Sequence, residues 1–283
     1  MVFNGKTFSS GLLSDLKIKV ADLPFVPEFS DILVGHDGPS LRYVKMKQKV
    51  AESIGIKFVE ANLSQNVTTE DIINKINELK NRSNMCGVIV QLPLPAHIET
   101  NKVLDVLPID LDVDGLSSNY DGLFYSGKNT YTMPTALAVI KILKSSRVDL
   151  KDKNIAVIGQ GKLVGKPVTY LLRNQNLDID TITRNTNPDD MKSIIENADV
   201  IITAVGKPGI VMGSDIKQGV IVIDAGTLEV DGQLTGDVDF DSVSLKSSFI
   251  TPTPGGVGPV TVACLMENVV LSAENKLQIK NYE

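Results

Sequence analysis

Short apolar runs alternate along this chain with longer stretches in which apolar residues recur every three or four positions. Asp31–Gly35, Ile56–Val59 and Gly87–Gln91 read as strands. Leu41–Ile54 and Thr69–Asn81 read as the helices between them, the second capped by Thr68 or Thr69. The same alternation returns at Asn154–Ile158, Asp180–Thr183, Asp199–Val205 and Val220–Asp224. Strands this apolar are buried on both faces, so the repetition predicts parallel sheets covered by helices on either side. Ser117–Tyr131, rich in Gly, Ser, Asn and Tyr, predicts a loop or interdomain cleft, and Pro134–Leu143 a connecting helix with Pro at its start. Thr251–Thr261 carries three glycines and three prolines ahead of the apolar segment Val262–Val270. That order predicts a stiff loop feeding a helix start, whose free N–H groups can hold polar or anionic ligand atoms.

Composition narrows the classes. With 283 residues there is room for two domains with sizeable cores, and 42% hydrophobic and 22% charged residues are ordinary for a globular protein. A formal net charge of −6 argues against nucleic acid as a partner, because backbone phosphates need a basic surface. Cys86 and Cys264 sit in apolar contexts without CxxC spacing, which predicts buried thiols in a reducing compartment. His36 and His97 are the two histidines, too few for a histidine-rich metal site, and no metal is expected. Neither a signal core at the N-terminus nor an apolar run of membrane-spanning length is evident, so the expectation is a soluble cytoplasmic protein with no membrane partner.

Two segments carry candidate chemistry. Ile155 to Pro167 reads strand, glycine turn, helix start. Gly159 would make the turn, Gly161 would admit a pyrophosphate and Gly165 would allow close helix–sheet packing, with Gln160 and Lys162 lining the loop. The spacing is one residue longer than the usual dinucleotide fingerprint. Val205, Gly206 and Thr227 lie in loops after later strands and join the cofactor-binding candidates. Past the second strand stands Arg184, a permanently charged fork suited to phosphate, where an NAD enzyme would place Asp or Glu. NADP is therefore expected. Asp178 and Asp180 leave NAD open if the strand register slips.

The second segment is the helix from Ser40 to Gly55. Tyr43 and Lys47 stand four apart, on the face shared with Val50 and Ile54, while Lys45 and Lys49 point to water. Burial disfavours an ammonium, which makes an inward lysine a usable base.

Ser40, Tyr43, Val44, Lys47 and Lys49 fit S-x-x-Y-V-x-x-K-x-K, Gln91–Pro95 reads Q-L-P-L-P, and Asp112–Gly115 reads D-V-D-G. With the Pro-Gly run, these motifs in this order resemble the bifunctional methylenetetrahydrofolate dehydrogenase/cyclohydrolase family across nearly the whole chain. The resemblance implies two α/β domains with mainly parallel sheets, the second a Rossmann-type dinucleotide-binding domain, and a cleft between them. Residues 1–133 with a C-terminal helix over 265–283 would bind folate and catalyse; 134–264 would bind NAD(P). It further implies oxidation of methylene-tetrahydrofolate to the methenyl form with NADP, hydrolysis of the latter to 10-formyl-tetrahydrofolate, tetrahydrofolate derivatives as ligands and a homodimer. Lys47 would be the base, Gln91 its orienting partner and Tyr43 a packing or proton-handling neighbour of the folate. Asp114 would accept from the pterin, and Gly255, Gly256 and Pro259 would close over the substrate.

Some segments depart from the family pattern. Pro108–Gly115 is one residue longer and lacks a lysine, Tyr131–Ala136 loses Cys, Thr and Gly, Gly161 replaces a serine, and the segment around Arg184–Thr186 is short. Rival readings are a dehydrogenase without cyclohydrolase action, another two-domain nicotinamide dehydrogenase, and a dinucleotide-sensing regulator.

Overall fold

The computed structural model describes residues 1–35, 38–230 and 232–280, so His36 lies outside the described residues. The chain forms two compact units. One comprises Ser10–Pro134 and the residues from Val262 on; the other comprises Met1–Ser9 and Thr135–Thr261. The first nine residues go with the later segment because Phe3 N–H donates to the Ile250 carbonyl and the N-terminal ammonium donates to that of Ser248.

The unit built on Ser10–Pro134, the lysine unit, takes its elements from α1 (Gly5–Ala21), β1 (Glu28–Val34), α2 (Gly38–Ser53), β2 (Lys57–Leu63), α3 (Thr69–Lys80), β3 (Met85–Val90), α4 (Thr100–Leu104) and α5 (Ser118–Tyr125). Its three strands are parallel in the order β2-β1-β3, with β1 buried along almost its whole length. Helix α3 is capped by Thr68, whose hydroxyl accepts from Asp71 N–H while the Asp71 carboxylate accepts from Thr68 N–H.

Helix α1 has no counterpart among the sequence expectations, since its apolar residues are spread round the cylinder and leave no periodic stripe. The predicted loop over Ser117–Tyr131 is corrected in part. The Ser117 hydroxyl accepts from Tyr120 N–H to start α5, and Tyr120 and Phe124, one turn apart, are buried.

The second, glycine-loop unit contains α6 (Pro134–Ser145), β4 (Ile155–Ile158), α7 (Gly165–Arg173), β5 (Ile179–Ile182), α8 (Pro188–Asn197), β6 (Val200–Thr203), β7 (Ile221–Asp224), β8 (Leu228–Val230), β9 (Gln233–Thr235), α9 (Phe240–Ser244) and β10 (Phe249–Ile250). Five parallel strands run β10-β7-β6-β4-β5. Counted from β4 as the first, the order is 2-1-3-4-5, a doubly wound sheet whose direction of winding reverses between β4 and β6. β8 and β9 form an exposed antiparallel hairpin too short to have shown as a pattern.

The last helix, α10 (Val257–Lys280), corrects the expectation about apolar runs. Val257–Gln278 is long and apolar enough to cross a membrane by length and composition, yet 67% of its most apolar window is buried within the protein. Its apolarity is that of a core helix. Cys86 and Cys264 are buried and form no disulfide among the described residues, and burial pushes the Cys86 thiol up to about 11.

Candidate active site

Helix α2 packs on β1 and β2 and turns Lys47 inward, leaving the side chain 3% exposed as a whole residue, whereas Lys45 and Lys49 stay in water. Its Nζ donates to Gln91 Oε1 at 2.9 Å, just past the end of β3, and sits 4.6 Å from the centroid of the Tyr43 ring one turn earlier. The Gln91 amide nitrogen in turn donates to the Leu92 carbonyl, which fixes which end of the amide faces the lysine.

A fourth group completes the cluster. Asp31, from the middle of β1, is fully buried and places Oδ2 2.5 Å from Lys47 Nζ. The contact is an ion pair within hydrogen-bonding distance, and neither Asp31 oxygen has any other hydrogen-bond partner among the described residues. Desolvation raises the Asp31 carboxyl above the usual range, and the Lys47 charge only partly opposes it. The Tyr43 hydroxyl is raised too, first by desolvation and then by Asp114 and Asp31. The sequence reading missed Asp31 and treated it as the edge of a strand. An acid inside an otherwise apolar parallel strand was the signal available.

The two acids of the D-V-D-G run divide their work. The Asp112 carboxylate is fully buried and accepts from Leu116 N–H and Ser117 N–H, so it shapes the loop. Asn268 of α10 donates to the Val113 and Thr132 carbonyls and holds the same loop from the other side. Half-buried Asp114 belongs to the charged cluster. Desolvation pushes its carboxyl up to about 6, Lys47 opposes this, and Asp112 and Asp31 add to it.

In the glycine-loop unit the chemistry is carried by missing side chains. A Cβ on Gly165, the first residue of α7, would lie 1.8 Å from the Gly159 carbonyl oxygen, and one on Gly159 would lie 2.5 Å from that of Ala204. Gly159 also has φ +91°. The loops leaving β4 and β6 therefore touch at the winding reversal, where doubly wound sheets bind ligands. Gln160 donates to Gly159 O and Thr169 Oγ1, while Gly161 and Lys162 are exposed.

Arg184 is exposed two residues past the end of β5, on the strand next to β4. In the register Ile158–Ile182 neither Asp178 nor Asp180 reaches that end, which removes the slip that would have favoured NAD. Asp237, also absent from the sequence reading, accepts from Val205 N–H and Lys207 N–H and so holds the Gly206 turn, whose ideal Cβ would contact the Thr227 carbonyl. The open Gly161, the start of α7 and the exposed Arg184 fork fit a phosphate-bearing dinucleotide. Gly255 and Gly256 form the turn before α10, with Gly5 N–H bonded to Gly255 O; Pro259 lies in the first helical turn, not in the loop.

Comparison with known proteins bears directly on this geometry. Residues 3–114 match the model of the tetrahydrofolate dehydrogenase/cyclohydrolase catalytic domain, and residues 133–277 match that of its NAD(P)-binding domain. The chain belongs to the tetrahydrofolate dehydrogenase/cyclohydrolase family. Within that family it is 39% identical over 280 residues to the bifunctional protein FolD of Macrococcus caseolyticus, covering 98% of this chain and 99% of that one. The bifunctional FolD dehydrogenase/cyclohydrolase of Campylobacter jejuni superposes with a TM-score of 0.92 at 37% identity, covering 97% and 99% of the two chains. A Trypanosoma brucei FolD, solved with NADP cofactor and inhibitor, gives a TM-score of 0.92 at 32% identity, with 98% of each chain covered. The family's catalytic-domain model thus falls on the segment that carries the lysine cluster, and its NAD(P)-binding model on the segment that carries the glycine loops.

Proposed function

We propose that the chain oxidises methylene-tetrahydrofolate to methenyl-tetrahydrofolate with NADP and then hydrolyses the methenyl form to 10-formyl-tetrahydrofolate. The observation that carries this reading is the buried Lys47 amine, held by Gln91 and faced by the Tyr43 ring. Bound NADP supplies the acceptor for the hydride that leaves the bridging carbon.

The protein's part is alignment and proton handling. Asp114 accepts from the amino and ring N–H groups of the pterin, a donor pair that two carboxylate oxygens match. The Tyr43 ring packs against the folate and keeps water from all but the reacting position. Lys47 removes a proton from the water that adds to the methenyl carbon, and Gln91 aims the amine. Gly159, Gln160, Gly161, Lys162 and Gly165 present the turn and the N-terminus of α7 to the pyrophosphate. Arg184 pairs with the 2′-phosphate, and Val205, Gly206 and Thr227 line the nicotinamide half. The backbone of Gly255 and Gly256, with Pro259 beside it, borders the substrate. Residues 1–133 with residues 265–283 form the folate-binding part, residues 134–264 the NADP-binding part, and the protein works as a cytoplasmic homodimer.

Lys47→Met tests the reading. Loss of a general base lowers turnover by roughly two to four orders of magnitude. The decay of added methenyl-tetrahydrofolate should slow by that factor while NADP affinity, measured by fluorescence titration, stays native. Decay at the native rate would exclude Lys47 as the base.

A further inference from the structure

The Lys47 amine lies 2.5 Å from a buried carboxylate, so a proton that it takes from water has a second acceptor within reach. We infer that Asp31 is the terminal proton acceptor of the hydrolytic step, reached through Lys47. This inference rests on the proposed role of Lys47 and extends it by one residue.

Geometry restricts the choice of acceptor. Among the described residues three groups contact the amine, Asp31 Oδ2 at 2.5 Å, Gln91 Oε1 at 2.9 Å and the Tyr43 ring at 4.6 Å, and Asp114 is coupled to it by charge. An amide oxygen does not hold a proton at neutral pH, and the ring face offers no site for one. Asp31 is fully buried on β1, so it meets neither solvent nor substrate and acts only through the amine. It is a positioning residue that also stores charge. Its Oδ1 accepts no hydrogen bond among the described residues, and Oδ2 has only the Lys47 contact. A carboxylate so poorly solvated takes up a proton readily.

The step balances. The water oxygen forms a bond to the methenyl carbon, whose C=N electron pair moves onto the positively charged nitrogen. A water proton passes to Nζ as one Nζ proton passes to Asp31. The pair starts as ammonium with carboxylate and ends as ammonium with carboxylic acid, and the positive charge lost by the folate reappears on the pair. The other titratable groups coupled to the pair are Tyr43 on α2 and Asp114 on the loop between α4 and α5. Asp114 is the acceptor assigned to the pterin, and Asp112, coupled to Asp114, is committed to two backbone N–H groups.

Asp31→Asn, Lys47→Met and the double variant, assayed for both activities across pH, test the relay. Asp31→Asn should slow hydrolysis about tenfold or more while changing dehydrogenase turnover about twofold at most. The acid limb of the hydrolytic pH profile should rise by about one pH unit or more, since without the carboxylate only the neutral amine can act. Asp31→Glu should return the limb toward its native position, and Asp31→Asn should add nothing to Lys47→Met. An unmoved limb, or equal loss of both activities in a folded Asp31→Asn protein, would overturn the relay and leave Lys47 in place. Native hydrolysis by Lys47→Met would overturn Lys47 as base and the relay together. If Asp31→Asn does not fold, Asp31→Ser carries the same readouts.

Discussion

The lysine cluster and the glycine loops solve opposite problems. At Lys47 the protein brings side chains together in the interior: an ammonium, a carboxylate, an amide and an aromatic ring on α2, β1 and the end of β3. At the winding reversal of the second sheet it removes side chains, so that backbone segments meet where a Cβ on Gly159 or Gly165 would collide. The first arrangement is held by electrostatics and is sensitive to charge and pH. The second is held by sterics and is sensitive to volume. Reactive chemistry needs tuned groups, whereas holding a phosphate needs exposed N–H donors and room.

Substitutions that add volume on one side and change charge on the other should separate the two. The largest effect is expected at Gly165. A valine there drives Cβ to 1.8 Å from the Gly159 oxygen, so Gly165→Val should abolish measurable NADP binding and lower stability by several kcal/mol. Calorimetric NADP titration and thermal unfolding check both, and native affinity would break the steric half of the comparison.

Next comes Lys47→Met, read as stability and not as rate. It leaves the Asp31 carboxyl buried without its partner, which costs about 3 kcal/mol at neutral pH. The folded-state value of that carboxyl is already raised by burial, so folding favours its protonated form. The deficit should therefore be absent below the ordinary carboxylate range, where Asp31 is protonated in both states, and grow as pH rises through the folded-state value. Urea unfolding at several pH values measures it; a deficit independent of pH would mean that volume, not charge, governs this site.

The smallest effect is expected at Arg184. Arg184→Ala should weaken NADP by about 1.5 kcal/mol, or about tenfold, and NAD hardly at all, since an exposed charge-assisted pair is lost only with the phosphate. Equal losses for the two cofactors would detach Arg184 from the 2′-phosphate.

Legibility differed in the same way. Tyr43 and Lys47 could be read because a helix puts residues four apart on one face, and Gly159 and Gly165 because the turn needs them at that spacing. Asp31 could not, because its meaning depends on α2 packing over β1, a contact that no local pattern encodes. Asp237 is similar, for it reaches back across thirty residues to hold Lys207. α5 was hidden by Gly122 and by its length, and α1 by the scatter of its apolar residues. The attachment of Met1–Ser9 to the second unit rests on backbone pairing with β10, which leaves no mark on side-chain sequence.

One assay reaches the central claim, that a single chain performs both reactions. The purified protein is mixed with methylene-tetrahydrofolate and NADP, and the absorbances of the methenyl form and of reduced cofactor are followed together. Reduced cofactor should accumulate while the methenyl signal rises and then falls faster than its uncatalysed decay at the same pH. A methenyl signal that decays only at the uncatalysed rate while cofactor is reduced would contradict the hydrolytic half, and no reduction at all would contradict the whole.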